Sequence, residues 1–167
     1  VSPLATSLTA CAAMGSHRPK MGFKGVPIGM GDKLVVPEGY VATPIARWGE
    51  PIGIAGNLPA FKIDGSNSAA DQAVQLGMHH DGLEYFPLDG SRRGLIALNH
   101  EYADDGLLHV GGFANMDAEK VKKSQNAHGL SVYEVELKDG TWAMVRPSRF
   151  ARRFTMDTPF VVGGPAA

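Results

Sequence analysis

The stretch from Tyr133 to Val145 leaves little choice of local fold. Tyr133, Val135 and Leu137 alternate with Glu134 and Glu136, and Lys138-Asp139-Gly140-Thr141 then leads into a second apolar stretch, Trp142 to Val145. Period-two alternation turns one face of an extended chain toward a core. Asp-Gly between two such stretches signals a tight primed-turn hairpin, whose central residues take positive φ. Upstream, Leu83 to Phe86 and Leu95 to Leu98 flank Asp89-Gly90-Ser91-Arg92 in the same way, which predicts a second hairpin.

The strands near 83–86, 94–98, 131–137 and 141–145 make one antiparallel sheet with a helical insertion, the content of a single propeller blade. The expected fold class is therefore mainly β, with antiparallel strands forming part of a β-propeller and short helical insertions. A lone blade cannot bury both faces, so its core is completed either by the N-terminal strands or by residues beyond Ala167. Without its neighbouring blades it would expose sheet edges and aggregate.

The insertion is predicted as a helix capped by Asp117, carrying an (i, i+4) pair of Glu119 and Lys123 and ending at Gly129; its polar composition places it on the surface. A shorter helix, capped by Asn67 or Ser68, runs through Leu76 with Gly77 as its C-terminal glycine. Between Trp48 and Ser68 the chain is Gly/Pro-punctuated loop. Ordered structure is expected from about Lys33, with Leu34-Val35-Val36 a short strand, Pro37-Glu38-Gly39-Tyr40 a turn, and Tyr40 to Ala46 an edge strand because of Pro44.

Residues 1–31 read as a signal remnant or disordered leader: VSPLATSLTACAAMG has the small-residue end of an export signal without its basic start. The run Leu8-Thr9-Ala10-Cys11 also has the shape of a lipoprotein processing site, with Cys11 a candidate lipid anchor. As the only cysteine, Cys11 permits neither an internal disulfide nor a cysteine-built zinc site. A net charge of -1, from 16 Lys+Arg against 17 Asp+Glu, gives no reason to expect nucleic acid or an anionic membrane as partner. No stretch approaches the ~20 apolar residues of a transmembrane segment.

Three polar groups can carry chemistry. Asn99, His100 and Glu101, followed by Asp104 and Asp105, are delivered by a strand end into a loop; their oxygens are hard donors suited to calcium, or else the group is a solvated turn. In Met78-His79-His80-Asp81-Gly82 the neighbouring histidines point to opposite faces, so at most one of them faces a site, and Asp81-Gly82 is alternatively a plain turn. Arg146, Arg149, Arg152 and Arg153, with Arg92-Arg93, form basic clusters that either bind a phosphate group bidentately or pair with surface carboxylates. Strand alternation puts Arg149 and Arg153 on one face and Arg152 on the other. No P-loop, dinucleotide fingerprint, zinc-hydrolase spacing or G-x-S-x-G elbow is present.

Taken in order, several runs resemble the PhoX family of alkaline phosphatases. They are Val35-Val36-Pro37-Glu38-Gly39-Tyr40, Arg47-Trp48-Gly49-Glu50-Pro51-Ile52, Gly77-Met78-His79-His80-Asp81-Gly82, Leu98-Asn99-His100-Glu101-Tyr102 and Asp105-Gly106-Leu107-Leu108-His109. Glu119-Lys120-Val121-Lys122-Lys123-Ser124-Gln125 and the run from Val145 to Arg153 continue the series. The resemblance covers about 32–167 and makes that span the N-terminal part of a PhoX-like β-propeller phosphatase domain. It implies a periplasmic or secreted enzyme, exported by the twin-arginine route, that hydrolyses phosphate monoesters with calcium and iron. It also implies that an iron-binding cysteine and further glutamate ligands lie beyond Gly164-Pro165-Ala166-Ala167, so that this chain alone is inactive. Asn99 and Glu101 are then the expected metal-facing residues, His80 or Asp81 their support, and Arg149 with Arg153 the substrate-binding arginines; no catalytic residue is assigned. The alternative readings are a catalytically silent propeller fragment and a calcium-binding extracellular module.

Overall fold

The computed structural model describes residues 21–167. Residues 1–20 of the expected leader, with the candidate lipid anchor Cys11 among them, lie outside the described residues, and 21–31 carry no helix or strand. The chain divides into two units, Val1–Thr43 and Pro44–Ala167. In the first, Pro37 to Tyr40 form the expected turn, closed by the Tyr40 N–H donating to the Pro37 carbonyl at 3.0 Å. The strands expected at 34–36 and 40–46 do not form. Extended backbone becomes a strand only where a neighbour accepts its hydrogen bonds, and among the described residues none is offered there.

The second unit carries the regular elements. They run α1 (Ala69–Gln72), β1 (His80–Asp89), β2 (Arg93–His100), α2 (Asp105–Leu108), α3 (Ala118–Ala127), β3 (Gly129–Lys138), β4 (Thr141–Met144), β5 (Arg152–Phe154) and a 3-10 turn, Gly164–Ala166. Strands β1-β2-β3-β4 follow one another in an antiparallel meander, the sheet of one propeller blade. Both expected hairpins are present. Asp139 and Gly140 take φ of 50° and 76°, as a type I′ turn requires, and the β1–β2 turn closes through Arg92 N–H to Asp89 C=O. The sequence pattern missed β5, which pairs with β3 through Leu130↔Phe154, Ser131↔Arg153 and Val132↔Arg152. Three residues are too few to show a period.

One face of the sheet carries the core. Ile96 and Leu98 of β2 and Tyr133 and Val135 of β3 pack against Ile52, Leu76 and Ala151, all buried. The cover is a loop rather than a second sheet: Ile52 N–H donates to Val74 C=O, and Gly49 and Leu76 exchange bonds with the neighbouring backbone. Burying a side chain such as Leu76 or Ile96 contributes about 1.5–3 kcal/mol, so this loop supplies much of what holds the sheet.

Helix α1 stops at Gln72 rather than Leu76. Ser68 caps it in a reciprocal box with Asp71, but the backbone then turns to pair with Glu50 and Ile52, and Gly77 is used elsewhere. Helix α3 is not a surface decoration. Lys123 is 4% exposed and pairs with no carboxylate: its ammonium donates to the carbonyls of Gly65 (2.7 Å) and Leu108 (2.6 Å). Glu119 instead accepts from the Ala69 N–H and caps α1, while Asn126 donates to the Ala69 carbonyl. An exposed (i, i+4) pair is worth about 0.3–0.5 kcal/mol. Removing the Lys123 ammonium would strand two loop carbonyls and cost about 2 kcal/mol. The expected outcome for Lys123→Met is therefore a drop in urea-unfolding stability several times that of Lys122→Met, since Lys122 only meets Asp157 at the surface.

Candidate functional site

The start of β1 and the end of β2 bring two of the polar groups together. His80 pairs with His100, and the ladder runs one residue further through Glu101 N–H donating to His79 C=O at 3.0 Å. Alternation then places Asn99 and Glu101 on one face and His100 on the other. Glu101 and Asp81 are exposed, and Asn99 is half-buried with its side chain lying over Gly82. The Asn99 Oδ1 is buried and has no hydrogen-bond partner among the described residues. An unpaired buried amide oxygen beside an exposed carboxylate suits a hard cation such as calcium. It is an incomplete set: among the described residues no group of three or more His, Cys, Asp and Glu can hold a metal ion.

On the opposite face His100 is a packed core residue. Its Nε2 accepts from the Gly77 N–H (3.3 Å) and meets the Ser131 hydroxyl at 2.7 Å. Because a backbone N–H can only donate, Nε2 is unprotonated and the proton sits on Nδ1, which is buried without an acceptor among the described residues. Burial, with the charges of Arg153, His80 and His128 around it, pushes the imidazole down to about 3. Gly77 is required here, since a Cβ would lie 2.1 Å from the Ala127 carbonyl and 2.6 Å from the His100 ring. His80 stays exposed at the sheet edge, its Nε2 bonded to the Gly77 carbonyl at 3.0 Å, and partial desolvation lowers its pKa.

The acidic residues after Glu101 do not join it. Asp104 caps α2 by accepting from Gly106 N–H, and Asp105 accepts from the Ser124 hydroxyl and faces His109 Nε2 at 3.1 Å. His109, Asp105 and Ser124 are types found in a nucleophilic triad. The same imidazole nitrogen meets both partners, however, and the serine donates to the aspartate, so nothing activates the hydroxyl.

The arginines disperse. Arg146 pairs with Glu50, Arg93 with the buried Glu134, and Arg152 returns to the carbonyls of Arg149 and Ala151. Arg149 lies in a turn before β5, exposed, with its guanidinium 4.6 Å from the Phe150 ring centre, so strand alternation does not relate it to Arg153. Arg153 reaches inward. Its guanidinium donates to the carbonyls of Asn126, His128 (3.0 Å) and Leu130 (3.1 Å), which brace the end of α3, and desolvation lowers its pKa to about 10. Nothing in an arginine run shows from sequence which member turns inward.

The family model of alkaline phosphatase PhoX matches residues 21–167. The chain belongs to the PhoX family. A solved structure, Pseudomonas fluorescens PhoX in complex with vanadate, a transition state analogue, superposes with a TM-score of 0.81 at 37% identity. That match covers 87% of this chain and 25% of the other, so the chain spans about a quarter of its PhoX relative. No curated protein matches. The mainly antiparallel sheet with short helical insertions is consistent with part of the PhoX propeller. No helix among the described residues is long and apolar enough to cross a membrane.

His100 sets an expected pH response. Its folded pKa lies below that of the unfolded chain, near 6.5, so as pH falls the unfolded state binds the proton first and stability declines from about pH 6.5 toward 3. Nitrogen-15 NMR of the imidazole should show the Nδ1–H tautomer, still neutral at about pH 5, and His100→Gln should flatten that part of the stability profile.

Proposed function

We propose that this chain is the N-terminal part of an exported, metal-dependent alkaline phosphatase that hydrolyses phosphate monoesters. The observation that carries this reading is the PhoX family match over 21–167, with 37% identity to a phosphatase structure holding a transition state analogue. Calcium and iron are the proposed cofactors, and the residues of this chain offer hard oxygens suited to calcium. When bound, such cations neutralise phosphoryl oxygens and orient the nucleophile. Asn99 Oδ1 and the Glu101 carboxylate would hold calcium, with Asp81 and His80 supporting the same loop pair. Arg149, exposed beside the sheet, would receive a phosphate oxygen pair, while Arg153 acts by holding the end of α3 in place. The remaining ligands, iron's among them, would come from parts of a PhoX protein that this chain does not span. The proposed location is the periplasm or the exterior of the cell.

The test is a chimera in which residues 44–167 replace the corresponding segment of the related phosphatase. It should hydrolyse p-nitrophenyl phosphate at alkaline pH with vanadate inhibition, and this chain alone should not. Glu101→Gln in the chimera should lower kcat about a hundredfold, with Arg149→Ala acting mainly on KM. A folded chimera without activity would favour the reading of this chain as a silent propeller fragment.

A further inference from the structure

His79 has none of the roles assigned above, yet its backbone is unusual. Its φ of 46° lies in the left-handed region, which a residue with a Cβ enters only when its surroundings hold it there. The register shows what this conformation accomplishes. His80 pairs with His100, and Glu101 N–H bonds to His79 C=O, so His79 stands opposite Glu101 in the ladder. Were the strand to continue extended, directly opposed residues would share a face, and the imidazole would lie against the Glu101 carboxylate. The left-handed backbone carries the ring elsewhere: it stacks on Tyr102, centroid to centroid 3.6 Å, with the planes 12° apart. Tyr102 follows Glu101 directly, past the end of β2, and the Glu101 side chain beside it stays exposed.

We propose that His79 is a positioning residue for the Glu101 carboxylate. Its left-handed backbone, held by the Tyr102 stack, keeps the space over Glu101 open to a divalent cation and fixes the Glu101 amide in the ladder. The cation half of this inference rests on the reading of Glu101 given under the proposed function; the backbone half rests on geometry alone. Substitutions that differ in tolerance of positive φ separate the two. Asn and Gly accept this conformation, whereas β-branched Val resists it and would return the side chain to the face of Glu101.

The experiment is amide hydrogen exchange at Glu101 on this chain, together with a calcium titration, calcium being the only ligand added, of the chimera described above, in which the remaining ligands are present. In His79→Val, exchange at Glu101 should rise about tenfold and calcium affinity should fall about tenfold, with His79→Asn and His79→Gly within about threefold of wild type. Tyr102→Ala should speed exchange as His79→Val does, and Tyr102→Phe, which keeps the stack, should not. A residue serving stability alone would raise exchange at amides throughout β1 and β2, whereas a positioning role confines the change to Glu101. Equal effects of Val, Asn and Gly, or unchanged exchange in His79→Val, would overturn the inference. Should the wild-type chimera hold no calcium that Glu101→Gln removes while the exchange pattern holds, the cation role of Glu101 fails and the positioning of its amide stands.

Discussion

The buried carboxyl end of α3 is the constraint around which this unit is arranged. A helix leaves its last carbonyls without partners, and in a buried end each unpaired one costs about 1–3 kcal/mol. Here three of the last four, those of Ser124, Asn126 and Ala127, find partners outside the helix. Ser124 C=O is met by His128 Nδ1, Ala127 C=O accepts from Met78 N–H, and Asn126 and His128 C=O accept from Arg153. Gly129 follows at φ 101°, where a Cβ would come within 1.9 Å of the Phe154 carbonyl, so the chain can enter β3 only through glycine. Satisfying one helix end thus binds the segment before β1, the start of β3 and the strand β5 to one another.

The same arrangement sets the two faces of the strand pair that presents Asn99 and Glu101. Gly77 passes close enough to Ala127 and His100 that the imidazole must accept its N–H, which keeps His100 neutral and on the core side. With that face closed, alternation leaves Asn99 and Glu101 on the other. Lys123 and Lys120 act alike on the long connection from β2 to α3, where their ammoniums gather the carbonyls of Leu108, Gly112 and Ala114. A lysine used this way does for a loop what a bound cation would do, because it offers several donors from one point. The polar helix therefore serves as an internal scaffold for these loops, beside a small apolar cluster of Met78, Leu108 and Ala127.

How much of this was legible in the residues depended on whether the cause was local. The hairpin turns at Asp89 to Arg92 and at Asp139-Gly140, the Ser68 and Asp117 caps and the period-two strands were all readable, since neighbours within a few positions determine them. That Asn99 and Glu101 share a face is clear only once the end of β2 at His100 is known. Glu119 and Lys123 were misread as an exposed ion pair because helical spacing says which side chains are adjacent, and nothing about what else approaches them. Strand β5 was too short to show a period, and the Pro44 region had extended character without a partner strand. Arg149 and Arg153 looked equivalent in the run of arginines, whereas one lies on the surface and the other among helix-end carbonyls.

By itself the sequence determined the class of fold, the meander order of the strands and, through an ordered series of motifs along 32–167, the kinship with PhoX phosphatases. Fold class and strand order are set by backbone preferences and period, which act over a few residues and survive whatever surrounds them, while the kinship is carried by the motif runs themselves. Tertiary structure alone decided which polar residues turn inward and what they touch, with Lys123 on loop carbonyls, Arg153 on the end of α3 and His100 as a neutral acceptor, and it decided that the exposed, left-handed His79 stacks on Tyr102. Each of these depends on partners far away in the chain, because a buried donor or acceptor has to be satisfied by whatever the fold brings within reach.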